Sequence, residues 1–245
     1  MALNYSLSKS DEDDNYYYND MIRKVKYRVR KLSRAFALLS AELLLVFISF
    51  FISLAVLIVL VRKIFYQKEY PIDQVVFDYL SSRVTTTNTA VMQVISFFGS
   101  HLFLVPAWVV LLSFFYFKRK NKWHFLKLVI IAVSNLLLMF GLKFFFNRPR
   151  PLIPLLKEVP GLSFPSGHAF MSLIFYGTMI YLLYRELQNK WFRWIAVLIL
   201  VIIIFLIGLS RVYLRVHYTS DVIAGYCFGV MSLLILLWML RQIKK

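Results

Sequence analysis

The sequence predicts an all-α polytopic membrane protein, with six transmembrane helices forming a bundle. Three observations carry that reading. Of 245 residues, 60% belong to the hydrophobic set and 17% are charged, whereas soluble domains are about a quarter charged. Mean hydropathy is +0.68. The apolar residues also gather into six runs, each close to the roughly 20 residues that a helix needs to cross a bilayer. Together these exclude a disordered chain, a disulfide-stapled secreted module and an ordinary soluble enzyme. The single cysteine, Cys227, lies inside an apolar run and reads as a packing residue.

The first run covers about Phe36–Val61. A polar segment of 35 residues precedes it, which argues against a cleavable signal. The following runs cover about Ala90–Phe117, Phe125–Phe146, Gly167–Tyr184, Trp194–Leu209 and Val222–Leu240. Residues 1–35 therefore read as a cytoplasmic tail, largely disordered at the acidic Asp11–Asp14 and basic along Arg23–Arg34; residues 36–245 form the membrane domain. Between the first two runs, Ile72, Val75, Val76, Tyr79 and Leu80 recur at helical spacing after Pro71. A short helix on the outer surface is expected there.

A net charge of +17 would suggest nucleic acid in a soluble protein. Here the basic residues flank apolar runs, so the membrane explains them and no nucleic-acid partner is expected. With the N-terminus inside, 19 of the 29 Lys and Arg residues fall on the cytoplasmic side. That bias places both termini in the cytoplasm and implies a cell-membrane location.

Three polar clusters abut the ends of spans on the opposite, extracytoplasmic face, where charge is costly and tends to be functional. They are Lys143 through Arg150-Pro151, Pro165-Ser166-Gly167-His168, and Ser210-Arg211 through His217 to Asp221. Pro149 and Pro151 stop a helix from continuing through Arg150. Ser166 can cap the fourth helix, whose free N–H groups make an anion site. His217 and Asp221, four residues apart, are expected on one face of the sixth helix, with the carboxylate fixing the imidazole tautomer. Lys143, Arg150 and Arg211 around a helix N-terminus suit a phosphate. One histidine can then attack phosphorus and the other can protonate the departing oxygen. Two histidines and a carboxylate also make a facial metal set, but three neighbouring cations would repel the ion. No metal or cofactor is expected, because the cationic side chains supply the charge stabilisation. Cys227 apart, the remaining candidates have structural readings: His101 and His124 lie at span edges, and Glu42 is interfacial or paired with a cytoplasmic cation.

These motifs resemble the three signatures of the type 2 phosphatidic acid phosphatase superfamily, which includes lipid phosphatases and the related vanadium haloperoxidases. The resemblance covers roughly Lys143 to Asp221, and the layout of six helices resembles the membrane members of that family. It implies that Lys143, Arg150 and Arg211 bind phosphate, with Ser166 and Gly167 assisting. It further implies that His168 is the acid, His217 the nucleophile and Asp221 its orienter. The substrate would be a membrane lipid carrying a phosphate or diphosphate. A phosphotransferase passing the phosphoryl group to a second lipid, or a non-hydrolytic transporter that binds an anion or lipid phosphate, would use the same pocket. Arg148 and Arg215 lie outside the signature and are candidate headgroup contacts.

Overall fold

The computed structural model describes the backbone of residues 9–68, 71–151, 154–155 and 161–242, and their side chains outside 9–20, 31–42 and 241–242. Helix α1 runs from Lys9 to Val61 and continues as a wider turn over Arg62–Gln67. No Gly or Pro interrupts the sequence before Pro71, so nothing in it breaks the helix ladder. The acidic Asp11–Asp14, expected to be disordered, and the basic Arg23–Arg34 both fall within α1; residues 1–8 of that tail, and the side chain of Glu42, lie outside the described ones. The chain divides into two units, 1–48 and 49–245, and the second holds the features below.

Helix α2 (Pro71–Ser81) occupies the place expected for a surface helix. It is followed by α3 (Thr86–Phe97), α4 (His101–Ser113), α5 (Lys122–Phe146), α6 (Gly167–Glu186), α7 (Lys190–Tyr213) and α8 (Thr219–Gln242). Among the described residues, six segments are long and apolar enough to cross a membrane: Leu43–Gln67, Thr86–Lys118, Lys122–Phe146, Gly167–Glu186, Lys190–Tyr213 and Thr219–Leu240. The second expected span is one segment but two helices, broken at Phe98–Ser100. The break brings Gly99 against α7, where a Cβ would lie 2.4 Å from Ile207 Cγ2. A side chain at that position would push the two helices apart.

The buried core joins α4, α5, α6, α7 and α8 through Leu104, Ile131, Phe170, Ile174, Ile207 and Leu233. Outward residues remain apolar, as at Val110, Leu137 and Phe205. Such faces suit lipid tails as solvent. Inside, Asn135 is fully buried, donates to Ile131 O and accepts from Ser232 Oγ at 2.7 Å. Small residues allow close packing where the site will form. A Cβ on Gly225 of α8 would sit 2.8 Å from the Ser166 carbonyl, so glycine lets the start of α6 lie directly on α8. Cys227 is buried in a second cluster with Leu57, Ile64, Phe164 and Ala224.

Candidate active site

Each cluster is held by local structure that the sequence dictates. Lys143 lies in the last turn of α5, which ends at Asn147 in the left-handed conformation (φ 46), a role Asn tolerates well. The chain then leaves the helix through Arg148-Pro149-Arg150-Pro151. Ser166 caps α6 by accepting from the Ala169 N–H, and its own N–H donates to the Asp221 carbonyl at 3.0 Å. Arg211 lies in the last turn of α7. His217 differs from expectation: α8 begins at Thr219, so His217 sits in the turn before it. Its N–H and that of Val216 donate to the Arg211 carbonyl. This turn keeps His217 beside Asp221 although the two do not share a helix.

His217 is 1% exposed, with Nδ1 3.5 Å from Asp221 Oδ2. That is beyond ordinary hydrogen-bond length, but a carboxylate beside Nδ1 favours the tautomer protonated there, which leaves the Nε2 lone pair free. Burial pushes the imidazole down to about 4. The hydrogen bond and charge of Asp221 oppose this, while Arg211 and Arg150 add to it. His217 is therefore neutral near pH 7, the form that carries a nucleophilic lone pair.

The cations converge from three elements. Lys143 Nζ donates to Leu162 O at 2.6 Å, and its Cε would be 3.6 Å from a Cβ on Gly167. Arg150 donates from Nε to Gly161 O and from Nη1 to Val216 O, both at 3.2 Å. Burial lowers its guanidinium below the ordinary value, with Asp221 acting the other way. Arg211 is 4% exposed and donates from Nη1 to Ser96 Oγ at 2.6 Å, while its Nε is buried without a hydrogen-bond partner. A buried donor of that kind costs free energy unless something accepts from it, and a phosphate oxygen is suited to do so. His168, at the first turn of α6, lies in the field of Arg211, His217, Arg150 and His101. On its other side is an apolar cavity of about 420 Å³ between α4, α5 and α6, lined by Val105, Trp108, Val133, Leu136 and Met171.

A family model of the PAP2 superfamily matches residues 123–245. Phosphatidylglycerophosphatase B of Bacillus subtilis is 31% identical over 157 residues, which is 63% of this chain and 76% of that protein. The chain belongs to the PAP2 superfamily. A crystal structure of a transmembrane PAP2 type phosphatidylglycerolphosphate phosphatase from Bacillus subtilis superposes with a TM-score of 0.73 at 26% identity, covering 80% of this chain and 98% of that one. Over a shorter stretch, the bacitracin transport permease protein BcrC of Bacillus licheniformis is 33% identical across 76 residues, 31% of this chain and 32% of that protein.

Within this PAP2 site, several residues play parts that sequence reasoning did not assign. Arg148, a candidate headgroup contact outside the signature, is 6% exposed and ion-paired with two carboxylates, Asp221 (Nη1–Oδ1 2.5 Å) and Asp73 of α2 (Nη2–Oδ2 3.0 Å). Asp73, which the sequence analysis did not single out, is 2% exposed. Ser163 is buried, donates to Asp221 Oδ2 and lies 3.5 Å from His217 Nδ1. Ser96 holds Arg211, as described. His101, read as a span-edge residue, lines the apolar cavity together with His168. His124 stacks on Phe115 with 9° between the rings, and lines a separate cavity. Arg215 is at the surface, donating to Ser81 Oγ at 2.9 Å. No spacing rule exposes Asp73 or Ser163, because their partners are distant in sequence or lie in a turn.

Proposed function

We propose that this PAP2 protein is an integral membrane phosphatase that removes phosphate from a lipid phosphomonoester or diphosphate through a phosphohistidine intermediate. One observation supports the lipid substrate above all others: the apolar cavity reaches His168, the residue read as the general acid. A leaving group must lie beside the acid that protonates it. An apolar cavity at that place suits an acyl or prenyl chain attached to the leaving oxygen. Two of the named relatives, phosphatidylglycerophosphatase B and the superposed crystal structure, are phosphatidylglycerophosphate phosphatases by their own descriptions, which makes that lipid the first substrate to try. Phosphatidate, isoprenoid diphosphates and phosphorylated glycolipids share the chemistry.

The steps follow from the geometry. Lys143, Arg150, Arg211 and the α6 N-terminal N–H at Gly167 hold the non-bridging oxygens, with Ser166 assisting by capping that turn. They stabilise the charge that spreads over those oxygens in the transition state. His217 Nε2 attacks phosphorus; the bond to the lipid oxygen breaks, and His168 gives that oxygen its proton. Asp221 accepts the Nδ1–H and offsets the positive charge that the imidazole acquires. His168, now neutral, takes a proton from water as the water attacks the phosphohistidine. Phosphate departs and His217 is restored. The charge on the phosphoryl oxygens is met by Lys143, Arg150 and Arg211, and that on His217 by Asp221, so the scheme calls for no divalent metal.

The pocket is assigned to the extracytoplasmic face with both termini inside, on the distribution of Lys and Arg. A cysteine introduced at Arg83, in the turn between α2 and α3, should react with an impermeant maleimide in intact cells. The native Cys227 is buried and should stay silent. Labelling of the Arg83→Cys protein only after permeabilisation would reverse the topology. For the reaction, purified protein in detergent is offered a panel of the four lipid classes while free phosphate is measured. Release from at least one is expected, and release from none contradicts the assignment.

A further inference from the structure

We infer that Asp73, on the surface helix α2, is a positioning residue for the Asp221–His217 pair and acts through Arg148. The inference deepens the phosphatase reading, since it takes His217 as the nucleophile. A connected set of contacts around Arg148 and Asp73 carries it. Arg148 divides its guanidinium between two carboxylates: Nη1 donates to Asp221 Oδ1 at 2.5 Å and to Ser220 Oγ at 2.9 Å, and Nη2 donates to Asp73 Oδ2 at 3.0 Å. The guanidinium lies over the Tyr218 ring, 4.0 Å from its centroid. Asp73 in turn accepts from the Ser220 backbone N–H at 2.8 Å and from Ser220 Oγ at 2.7 Å. Asp73 therefore caps the first turn of α8 from another element, satisfying one of its unpaired N–H groups.

Two consequences reach His217. The first is geometric. With Oδ1 of Asp221 taken by Arg148, its Oδ2 is left to Ser163, to the Tyr218 N–H at 2.9 Å and to His217 Nδ1. The second is electrostatic. One guanidinium serves two carboxylates, so Asp73, Arg148 and Asp221 together keep a net negative charge. Without the charge of Asp73, Arg148 would neutralise Asp221 alone, and a phosphorylated, positively charged imidazole would lose its counter-charge. The other groups facing His217 are Arg211 of α7, Arg150 and Ser163 of the segment between α5 and α6, and His168 of α6. None of them is altered when Asp73 is replaced.

α2 also presents Ile72, Val75 and Tyr79 outward, 43%, 67% and 60% exposed. A helix apolar on its outer side and tied to Asp221 on its inner side links the catalytic pair to an element outside the six spans.

The test uses the full chain in detergent, as wild type, Asp73→Asn and Arg148→Lys, with ¹³C-labelled histidine and His217→Gln to assign the resonance. Two quantities are read: the titration midpoint of His217, and kcat and KM on p-nitrophenyl phosphate. In Asp73→Asn the midpoint should fall by roughly half a pH unit, the effect of one unit charge about 10 Å away in a partly solvated site. kcat should fall roughly 10- to 100-fold, the usual cost of losing a partner behind a working histidine, with KM unchanged within about threefold. Arg148→Lys keeps the charge, but one ammonium does not reach both carboxylates, so the same loss of kcat is expected. It carries the test if Asp73→Asn does not elute as a folded species. An unmoved midpoint in folded Asp73→Asn, or a rise in KM with kcat intact in either variant, overturns the inference. If wild type hydrolyses no phosphate ester, the phosphatase reading falls, and the His217 midpoint still decides the role of Asp73.

Discussion

Acid should destabilise this protein through His217, and replacing that residue should remove the effect. Burial pushes the imidazole from 6.5 down to about 4, with Asp221 opposing only in part. Between those values the unfolded chain holds a proton that the folded chain excludes. Stability therefore rises with pH across the window and is lost as the pH falls through it. The gap is worth roughly 3 kcal/mol. That contribution is fully present above pH 6.5 and gone below about pH 4. Thermal unfolding in detergent, followed in steps between about pH 7 and pH 4, measures it when wild type is set beside His217→Gln. Groups elsewhere titrate in both proteins and cancel in the difference. Wild type should lose roughly 3 kcal/mol more than the variant over that range. Parallel curves would refute the argument, because the buried imidazole would then not be the group that resists protonation. The same value sets the acid limb of kcat/KM, which should fall off only near pH 4.

Three further outcomes are expected. His168→Ala should lose more activity on a lipid monoester than on p-nitrophenyl phosphate, since general acid help is worth ~10²–10⁴-fold and an aryl oxide needs less of it; equal losses on both would remove His168 as the acid. Phosphate release should persist in excess chelator and be inhibited by vanadate, whose five-coordinate form resembles the transition state; activity lost in chelator and recovered with Mg²⁺ or Zn²⁺ would replace the mechanism. Val133→Trp, a half-exposed lining position of the apolar cavity, should raise KM by about tenfold or more for a long-chain lipid phosphate and leave a dihexanoyl analogue unchanged, each buried CH₂ being worth about 0.8 kcal/mol. An equal effect on both substrates would mean that the chain lies elsewhere.

The six spans were legible because long apolar runs have few other physical solutions. The polar clusters at their ends were legible because charge beside a membrane needs a reason. What sequence could not give is what long-range packing decides. Gly99-Ser100 looked like the interior of one span, yet the chain breaks there into α3 and α4, with Gly99 packed against Ile207. The i, i+4 spacing of His217 and Asp221 suggested one helical face, whereas the structure meets the same proximity with a turn hydrogen-bonded to Arg211. Asp73 was hidden for a different reason. The pattern of α2 predicted its apolar face, but an acidic residue in a first helical turn is ordinary. Only the fold places it against Arg148, 75 residues away in sequence. Residues 152–153 and 156–160, between Arg150 and the start of α6, lie outside the described residues.

The central claim is that His217 carries the phosphoryl group. Lipid substrate labelled with ³²P is mixed with enzyme, quenched in base within a turnover, and the labelled peptide is mapped by mass spectrometry. Because His168 is read as activating the hydrolytic water, His168→Ala should accumulate the species and make it easy to trap. The account expects an acid-labile, base-stable phosphate on His217 Nε2, present in wild type, enriched in His168→Ala and absent from His217→Ala. A labelled phosphoenzyme that survives His217→Ala would contradict it.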